Sequence, residues 1–229
     1  MQEQDRYERL APYRVLKTRR GVLGSSRYAC KLRQELREAA NDPARRPVLV
    51  MGEPGLEKDN LAALIHFGSA DRRQPLVRID GALLHADGSD LWGRAKNDEP
   101  SLLECIGDGT LLLDKLDKAP KALQPRLIAL ACEHPGRVIV TSECAIPALS
   151  NQGRPIRVPP LRLRRQDLGE WLRFGVRVES RKQGWSRPPS LAPGIIKQLQ
   201  RYDFPNNLRD LEQVIYRSLQ QARRLGEGG

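Results

Sequence analysis

The chain has 229 residues, 39% of them hydrophobic, and its 39 Lys and Arg against 28 Asp and Glu give a formal charge of +11. That length holds one substantial domain, or a core domain with a small satellite, and the charge suits an anionic partner such as nucleic acid, nucleotide or an acidic protein surface without choosing among them. No run approaches the ~18 apolar residues of a membrane span, the polar start Met1 to Arg9 is unlike a signal peptide, and the widely spaced Cys30, Cys105, Cys132 and Cys144 argue against a zinc site or a disulfide framework. Buried thiols in a reducing cytosol are the expectation, unless the sequence is an excerpt of a longer chain.

Residues 1–21 are polar and basic and read as an N-terminal extension, a tether or a peripheral strand. Ser25 or Ser26 can cap a helix from about Tyr28 to Ala40, where Ala29, Leu32, Leu36 and Ala39 recur at helical spacing; Asn41-Asp42-Pro43 ends it. The apolar run Val48 to Met51 predicts a short buried strand, and Gly52-Glu53-Pro54-Gly55-Leu56-Glu57-Lys58-Asp59-Asn60 follows it, feeding a helix from about Asn60 to Phe67. Strand, glycine loop and helix in that order are the context of a phosphate-binding loop, G-x-x-x-x-G-K-[ST], whose backbone N–H groups cradle phosphates while the Lys reaches their oxygens. Gly52 and Lys58 keep their places, Asp59 stands at the hydroxyl position, and Glu57 replaces the last Gly. The Glu adds a carboxylate beside the phosphates and a Cβ where the backbone can require positive φ.

Further strands are predicted at Leu76 to Ile79, Thr110 to Asp114 and Arg137 to Thr141, with a helix from Leu123 to Cys132 before the last. Near-continuous apolar strands alternating with helices predict an α/β fold with a parallel sheet flanked by helices. After Pro159-Pro160 the pattern turns helical, with candidates at Gln166 to Val178, Ala192 to Tyr202 and Leu208 to Arg224, a small all-helical satellite. Residues 225–229 read as a flexible tail.

Several segments, in order, resemble the AAA+ ATPase domain of sigma-54-dependent transcriptional activators, the bacterial enhancer-binding proteins. They are Leu23-Gly24-Ser25-Ser26, the loop with Lys58, Asp108-Gly109-Thr110-Leu111-Leu112-Leu113-Asp114, Leu123-Gln124-Pro125-Arg126-Leu127, Val158-Pro159-Pro160-Leu161-Arg162 through Asp167, and Phe204-Pro205-Asn206-Asn207-Leu208-Arg209-Asp210-Leu211-Glu212. The last two are similar to the family's L-P-P-L-R-x-R-x-x-D and W-P-G-N-V-R-E-L-E signatures. The resemblance implies an AAA+ P-loop subdomain at residues 22–160 and a helical lid at residues 161–224. It implies ATP or ADP with Mg²⁺ between them, with Lys58 on the β/γ phosphates, Asp114 at the metal, Thr141 or Ser142 as first sensor and Arg209 as lid sensor. An acidic residue after the Lys is common in the family, which accommodates Asp59.

The departures from the family pattern are specific. Lys115 replaces the Glu that would activate water after Asp114, and a charged Lys cannot serve as that base. The G-A-F-T-G-A loop that grips sigma-54 is missing between Leu91-Trp92-Gly93 and Asp108, and so is the F-R-x-D-L-Y-Y-R-L segment whose arginines reach a neighbouring subunit. These losses together imply a scaffold with hydrolysis, sigma-54 contact and ring assembly removed. No catalytic residue is assigned.

Three functional readings stay open: a regulatory module that binds nucleotide and acts through protein contacts, with the transcription machinery as a candidate partner; an active ATPase in which Asp117 or Glu143 compensates for Lys115; and a partner-binding domain with no ligand. Direct DNA binding by this chain is not expected, since no helix-turn-helix follows Arg224. The scattered His66, His85 and His134 and the three Trp read as packing or surface residues, and the short basic clusters as solvated surface.

Overall fold

The computed structural model describes residues 3–93 and 100–226. These form two compact units: one made of the described parts of residues 1–21, 34–52 and 58–157, the other of residues 22–33, 53–57 and 158 onward. The cut falls on either side of the glycine loop, so that residues 53–57 belong with the second unit and Lys58 with the first.

In the first unit β1 (Val48–Met51), β2 (Leu76–Asp80), β3 (Thr110–Asp114), β4 (Arg137–Ser142) and β5 (Arg154–Arg157) form one sheet in the order β2-β3-β4-β1-β5, with every pairing parallel. β1, β3 and β4 are buried at every residue, as expected of parallel strands covered on both faces. The register sets Asp80 beside Asp114 and Met51 beside Ser142, which brings the ends of β2, β3, β4 and β1 to one edge of the sheet. That edge, outside the carboxyl ends of the strands, is where open α/β sheets bind ligands.

The helices in chain order are α1 (Glu3–Leu10), α2 (Arg27–Ala40), α3 (Lys58–Phe67), α4 (Ser89–Trp92), α5 (Leu102–Ile106), α6 (Gln124–Glu133), α7 (Pro147–Gln152), α8 (Leu168–Lys182), α9 (Ile195–Leu199) and α10 (Leu208–Gly226). Local chemistry accounts for several starts. Ser26 Oγ accepts the Ala29 N–H at 3.0 Å at the head of α2, Ser101 and Glu104 close a reciprocal capping box on α5, and Pro125 sits in the first turn of α6. The core of the first unit gathers Leu49, Val77, Ile79, Leu111, Leu113, Val138 and Val140 from the sheet with Leu10, Ile106 and Leu127 from helices.

The second unit has its own core. Leu208, Leu211, Ile215 and Leu219 form one stripe of α10 at helical spacing and pack with Leu168, Trp171, Leu172 and Val176 of α8 and with Phe204. Gly175 permits a close approach of the two helices, since a Cβ there would lie 2.5 Å from Ile215 Cδ1.

Four features differ from the sequence expectation. The N-terminal segment is helical over Glu3–Leu10 rather than a tether or strand, with a single antiparallel bridge from Arg14 to Val77. β5 is not among the expected strands: Arg-Pro-Ile-Arg shows no apolar run, only Ile156 is buried, and a Pro is tolerated because the strand lies at the sheet edge. The lid helix expected from Ala192 to Tyr202 is confined to Ile195–Leu199, after Pro193 and a left-handed Gly194. Cys30 and Cys144 are exposed, whereas Cys105 is buried as expected. Residues 94–99, part of the stretch where the family loop is missing, and the tail at 227–229 lie outside the described residues.

Candidate phosphate site

Within the first unit the sheet edge carries a closed network of charges. Lys58 opens α3, is buried, and its Nζ donates to the Gly52 carbonyl at 2.7 Å, while the Gly52 N–H donates to the Ser142 carbonyl at 3.2 Å. These contacts hold the lysine ammonium beside the start of the loop, where a phosphate-binding lysine belongs. Thr141, fully buried at the end of β4, donates from Oγ1 to Asp114 Oδ1 at 2.5 Å and accepts the Lys115 N–H at 2.8 Å. Ser142 is buried too, and its Oγ accepts the Cys144 N–H at 3.1 Å. Asn60 is spent on the N-terminal segment, bonding the Arg19 N–H and the Arg20 carbonyl.

Three residues that sequence reasoning did not assign complete the network. Arg78 on β2 donates from Nε and Nη2 to Asp114 Oδ2 at 3.0 and 2.5 Å, and its Nη1 lies 3.7 Å from Asp59 Oδ2. Arg19 pairs with the other Asp59 oxygen at 2.7 Å. Asp80, at the end of β2, takes Lys115 Nζ at 2.6 Å. Burial works against the Arg78 charge, but Asp114, with Asp59 and Asp80, holds its pKa above the ordinary arginine value. The signal in the sequence was a single arginine inside the apolar run Leu76 to Ile79, a buried-strand position where a charge needs a partner.

Lys115 stands in the left-handed region, at φ 55°, and so does Glu57 at φ 52°. The backbone at residue 57 therefore adopts the conformation that a glycine accepts without strain, and the Glu pays for it. Asp117 and Glu143 both meet Lys118, whose Nζ lies 3.4 Å from Asp117 and 3.1 Å from Glu143, and the Glu143 N–H donates to Asp117.

The second unit holds the loop itself. Asn207, at φ 53° and buried, donates from Nδ2 to the Pro54 carbonyl at 3.0 Å and to Glu53 at 3.2 Å, while its Oδ1 accepts the Leu161 N–H at 2.8 Å. The Leu208 N–H donates to the Gly55 carbonyl at 3.2 Å, Leu56 is buried, and Arg162 grips both Glu53 oxygens. The Arg162 guanidinium, against some desolvation, holds the Glu53 carboxyl below its usual range. Gly55 is required here: at φ +76° its Cβ would fall 1.9 Å from the Asn206 carbonyl oxygen and 3.5 Å from Arg209 Cγ. Arg209 thus runs beside the loop from the first turn of α10, and Asp210 accepts from the backbone N–H and the side-chain amide of Asn206.

The remaining aromatic and basic candidates are packing groups. Trp171 is buried in the helical core, Trp185 packs against it, and Trp92 lies under the Arg126 guanidinium at 3.7 Å. Arg165 ties the Gln200 carbonyl and Asp203 together at 2.5 Å each. Among the described residues no helix is long and apolar enough to cross a membrane, and no group of three or more His, Cys, Asp or Glu is placed to hold a metal ion.

Comparison with known proteins agrees with this geometry. The chain is 29% identical over 90% of its length to the nitric oxide reductase transcription regulator NorR2 of Cupriavidus necator, of which it covers 46%. It is 26% identical over 77% of its length to the Psp operon transcriptional activator of Escherichia coli, of which it covers 65%. It spans about half the length of relatives such as the first. The crystal structure of NtrX from Brucella abortus in complex with ADP superposes with a TM-score of 0.74 at 21% identity, covering 94% of this chain and 54% of that one, and shares its fold. Residues 22–138 match the model of the sigma-54 interaction domain, and with the parallel sheet, the lysine loop and the helical unit this chain belongs to that family of AAA+ P-loop domains.

Proposed function

We propose that this chain is a nucleotide-binding module of a transcription regulator, which takes ATP or ADP on Lys58, does not hydrolyse it, and acts through protein contacts with the transcription machinery. The observation that carries the reading is the contrast around β3. Lys58 keeps its buried place on the loop, whereas the position of the catalytic base is a left-handed Lys115 paired to Asp80. A lysine ammonium ion-paired to a carboxylate has no lone pair with which to take a proton from water. The pairing of Asp117 and Glu143 with Lys118 weighs against an ATPase rescued by either.

The chemistry available to the chain is binding and positioning. Lys58 supplies a point charge to the β/γ phosphates, and the backbone after Gly52 supplies N–H donors. Thr141 links Asp114 to the Lys115 backbone and so ties the end of β3 to β4. Arg209, beside Gly55, is the lid residue the resemblance assigns to the γ-phosphate. Mg²⁺ is the cation the resemblance implies, with Asp114 as its ligand. The residues do not fit it well, because each Asp114 oxygen already faces a protein donor, one of them the Arg78 guanidinium.

Thermal denaturation with ATP, ADP and no ligand tests the reading, on the wild type and on Lys58→Ala. A ligand at a hundredfold excess over its Kd stabilises by about 2.7 kcal/mol, or roughly 5–10 °C for a domain of this size. The expected result is that shift in the wild type alone, with no phosphate release. Absence of a shift in both proteins would leave a ligand-free partner-binding domain, and phosphate release abolished by Lys58→Ala would restore the ATPase.

A further inference from the structure

Where a divalent metal would sit, this chain places an arginine. We infer that Arg78 is the resident cation of the phosphate site, and that a nucleotide is held by this guanidinium without Mg²⁺; the inference rests on the nucleotide-binding reading above.

Besides Asp80, which Lys115 holds, two carboxylates stand at this edge, Asp59 after the lysine and Asp114 at the end of β3. Three of their four oxygens accept from protein donors, and the fourth lies at ion-pair distance from Arg78. Asp114 Oδ1 accepts from Thr141 at 2.5 Å and Oδ2 takes two Arg78 donors at 3.0 and 2.5 Å. Asp59 Oδ1 pairs with Arg19 at 2.7 Å, and Oδ2 lies 3.7 Å from Arg78. Arg78 therefore bridges the same two carboxylates that a Mg²⁺ would be expected to engage, directly or through water. Mg²⁺ demands near-octahedral oxygen ligands at short distance, and a guanidinium on one of the oxygens repels a second cation entering the same place.

Charge accounting points the same way. Within the first unit Arg78 and Arg19 face Asp114 and Asp59, and Lys115 faces Asp80, so every carboxylate of the cluster already has a side-chain cation before any metal enters. The positive charge that Mg²⁺ normally brings to phosphate oxygens is then supplied by side chains. Arg78 suits the role because its planar fork has donors left over after two are spent on Asp114, which a lysine would not present in fixed geometry.

The experiment is calorimetric titration of ADP and ATP into the full chain, once in EDTA and once in excess Mg²⁺, for the wild type, Arg78→Gln and Asp114→Asn. In the wild type the two Kd values are expected to agree within about twofold. Arg78→Gln should weaken binding about tenfold or more in EDTA and regain it in Mg²⁺, with Mn²⁺ becoming immobilised by electron paramagnetic resonance only in that variant with ADP bound. Asp114→Asn, which removes the carboxylate that holds Arg78, should change affinity to the same extent in EDTA and in Mg²⁺, and a loss confined to Mg²⁺ would overturn the inference. Wild-type binding that is about tenfold tighter in Mg²⁺, or wild-type immobilisation of Mn²⁺, overturns the inference and leaves nucleotide binding standing. No heat in either buffer removes both.

Discussion

The turn after β1 and the turn after β3 have undergone the same kind of change with different consequences. Each now has a charged residue in the left-handed region, Glu57 at φ 52° and Lys115 at φ 55°. After β1 the neighbouring chemistry is kept: Lys58 holds the Gly52 carbonyl, and Asn207, Leu208 and Arg162 secure Glu53, Pro54 and Gly55. After β3 the chemistry is consumed, for Asp114, Asp80 and Lys115 are all tied into ion pairs. Backbone geometry at each turn is set by many packing contacts, whereas the charge it presents rests on single side chains.

The sharpest way to break the intact side of this comparison is Gly55→Ala. Its Cβ would lie 1.9 Å from a backbone oxygen of Asn206, with the residue at φ +76°, so the loop must leave its seat. A destabilisation of about 2 kcal/mol or more is expected, together with loss of any nucleotide-induced thermal shift. A variant with wild-type melting and ligand response would show that the loop conformation does not matter.

A second perturbation reaches both turns at once. α3 begins at Lys58 and ends near His66, and β3 begins at Thr110 and ends at Asp114; His66 Nδ1 and Thr110 Oγ1 lie 2.8 Å apart and join the far ends of the two elements. Burial pushes the His66 imidazole down to about 4. The unfolded histidine takes up its proton near the ordinary value of about 6.5, so between these pH values the unfolded state binds more protons and stability falls as pH drops. The slope from this one group approaches ~1.4 kcal/mol per pH unit inside that window. Melting temperatures from pH 7 to pH 4 should fall more steeply in the wild type than in His66→Gln, with carboxylate effects common to both; parallel profiles would sink the assignment.

Much of this was legible in the chain, and the parts that were not have a common cause. β1 and β3 and the lysine loop are written in contiguous apolar runs and a fixed spacing, so local reading finds them. The positive φ at residue 57 followed from seeing a Glu where a Gly belongs. Arg78 did not announce its role, because its partner Asp114 lies 36 residues away and meets it only through the β2–β3 register. The pairing of Lys115 with Asp80 is the same case: the register sets Asp80 beside Asp114, and Lys115 is the next residue. α1 and β5 were missed for want of an apolar pattern.

Glu57→Gly sharpens the comparison more gently. Removing the Cβ relieves the left-handed strain, a gain of about 1 kcal/mol offset in part by the larger entropy of an unfolded glycine. It also takes a carboxylate from the phosphate loop, so ADP should bind severalfold more tightly. Unchanged affinity in titration would mean that the Glu57 charge is not felt at the phosphates.

The smallest effect is expected at Lys115→Gly, and its smallness is informative. The same strain relief of about 1 kcal/mol applies. Against it stands the loss of an ion pair to Asp80 whose side chains are 40% and 20% exposed, worth about 0–1 kcal/mol after solvent screening. The two nearly cancel, and the melting temperature should move by no more than a few degrees, with phosphate release the same as in the wild type because Gly adds no base. A large destabilisation would show that Lys115 has become a structural post. The turn after β3 would then resemble the turn after β1 in being maintained by contacts that matter, and the distinction between a kept site and a consumed one would have to be given up.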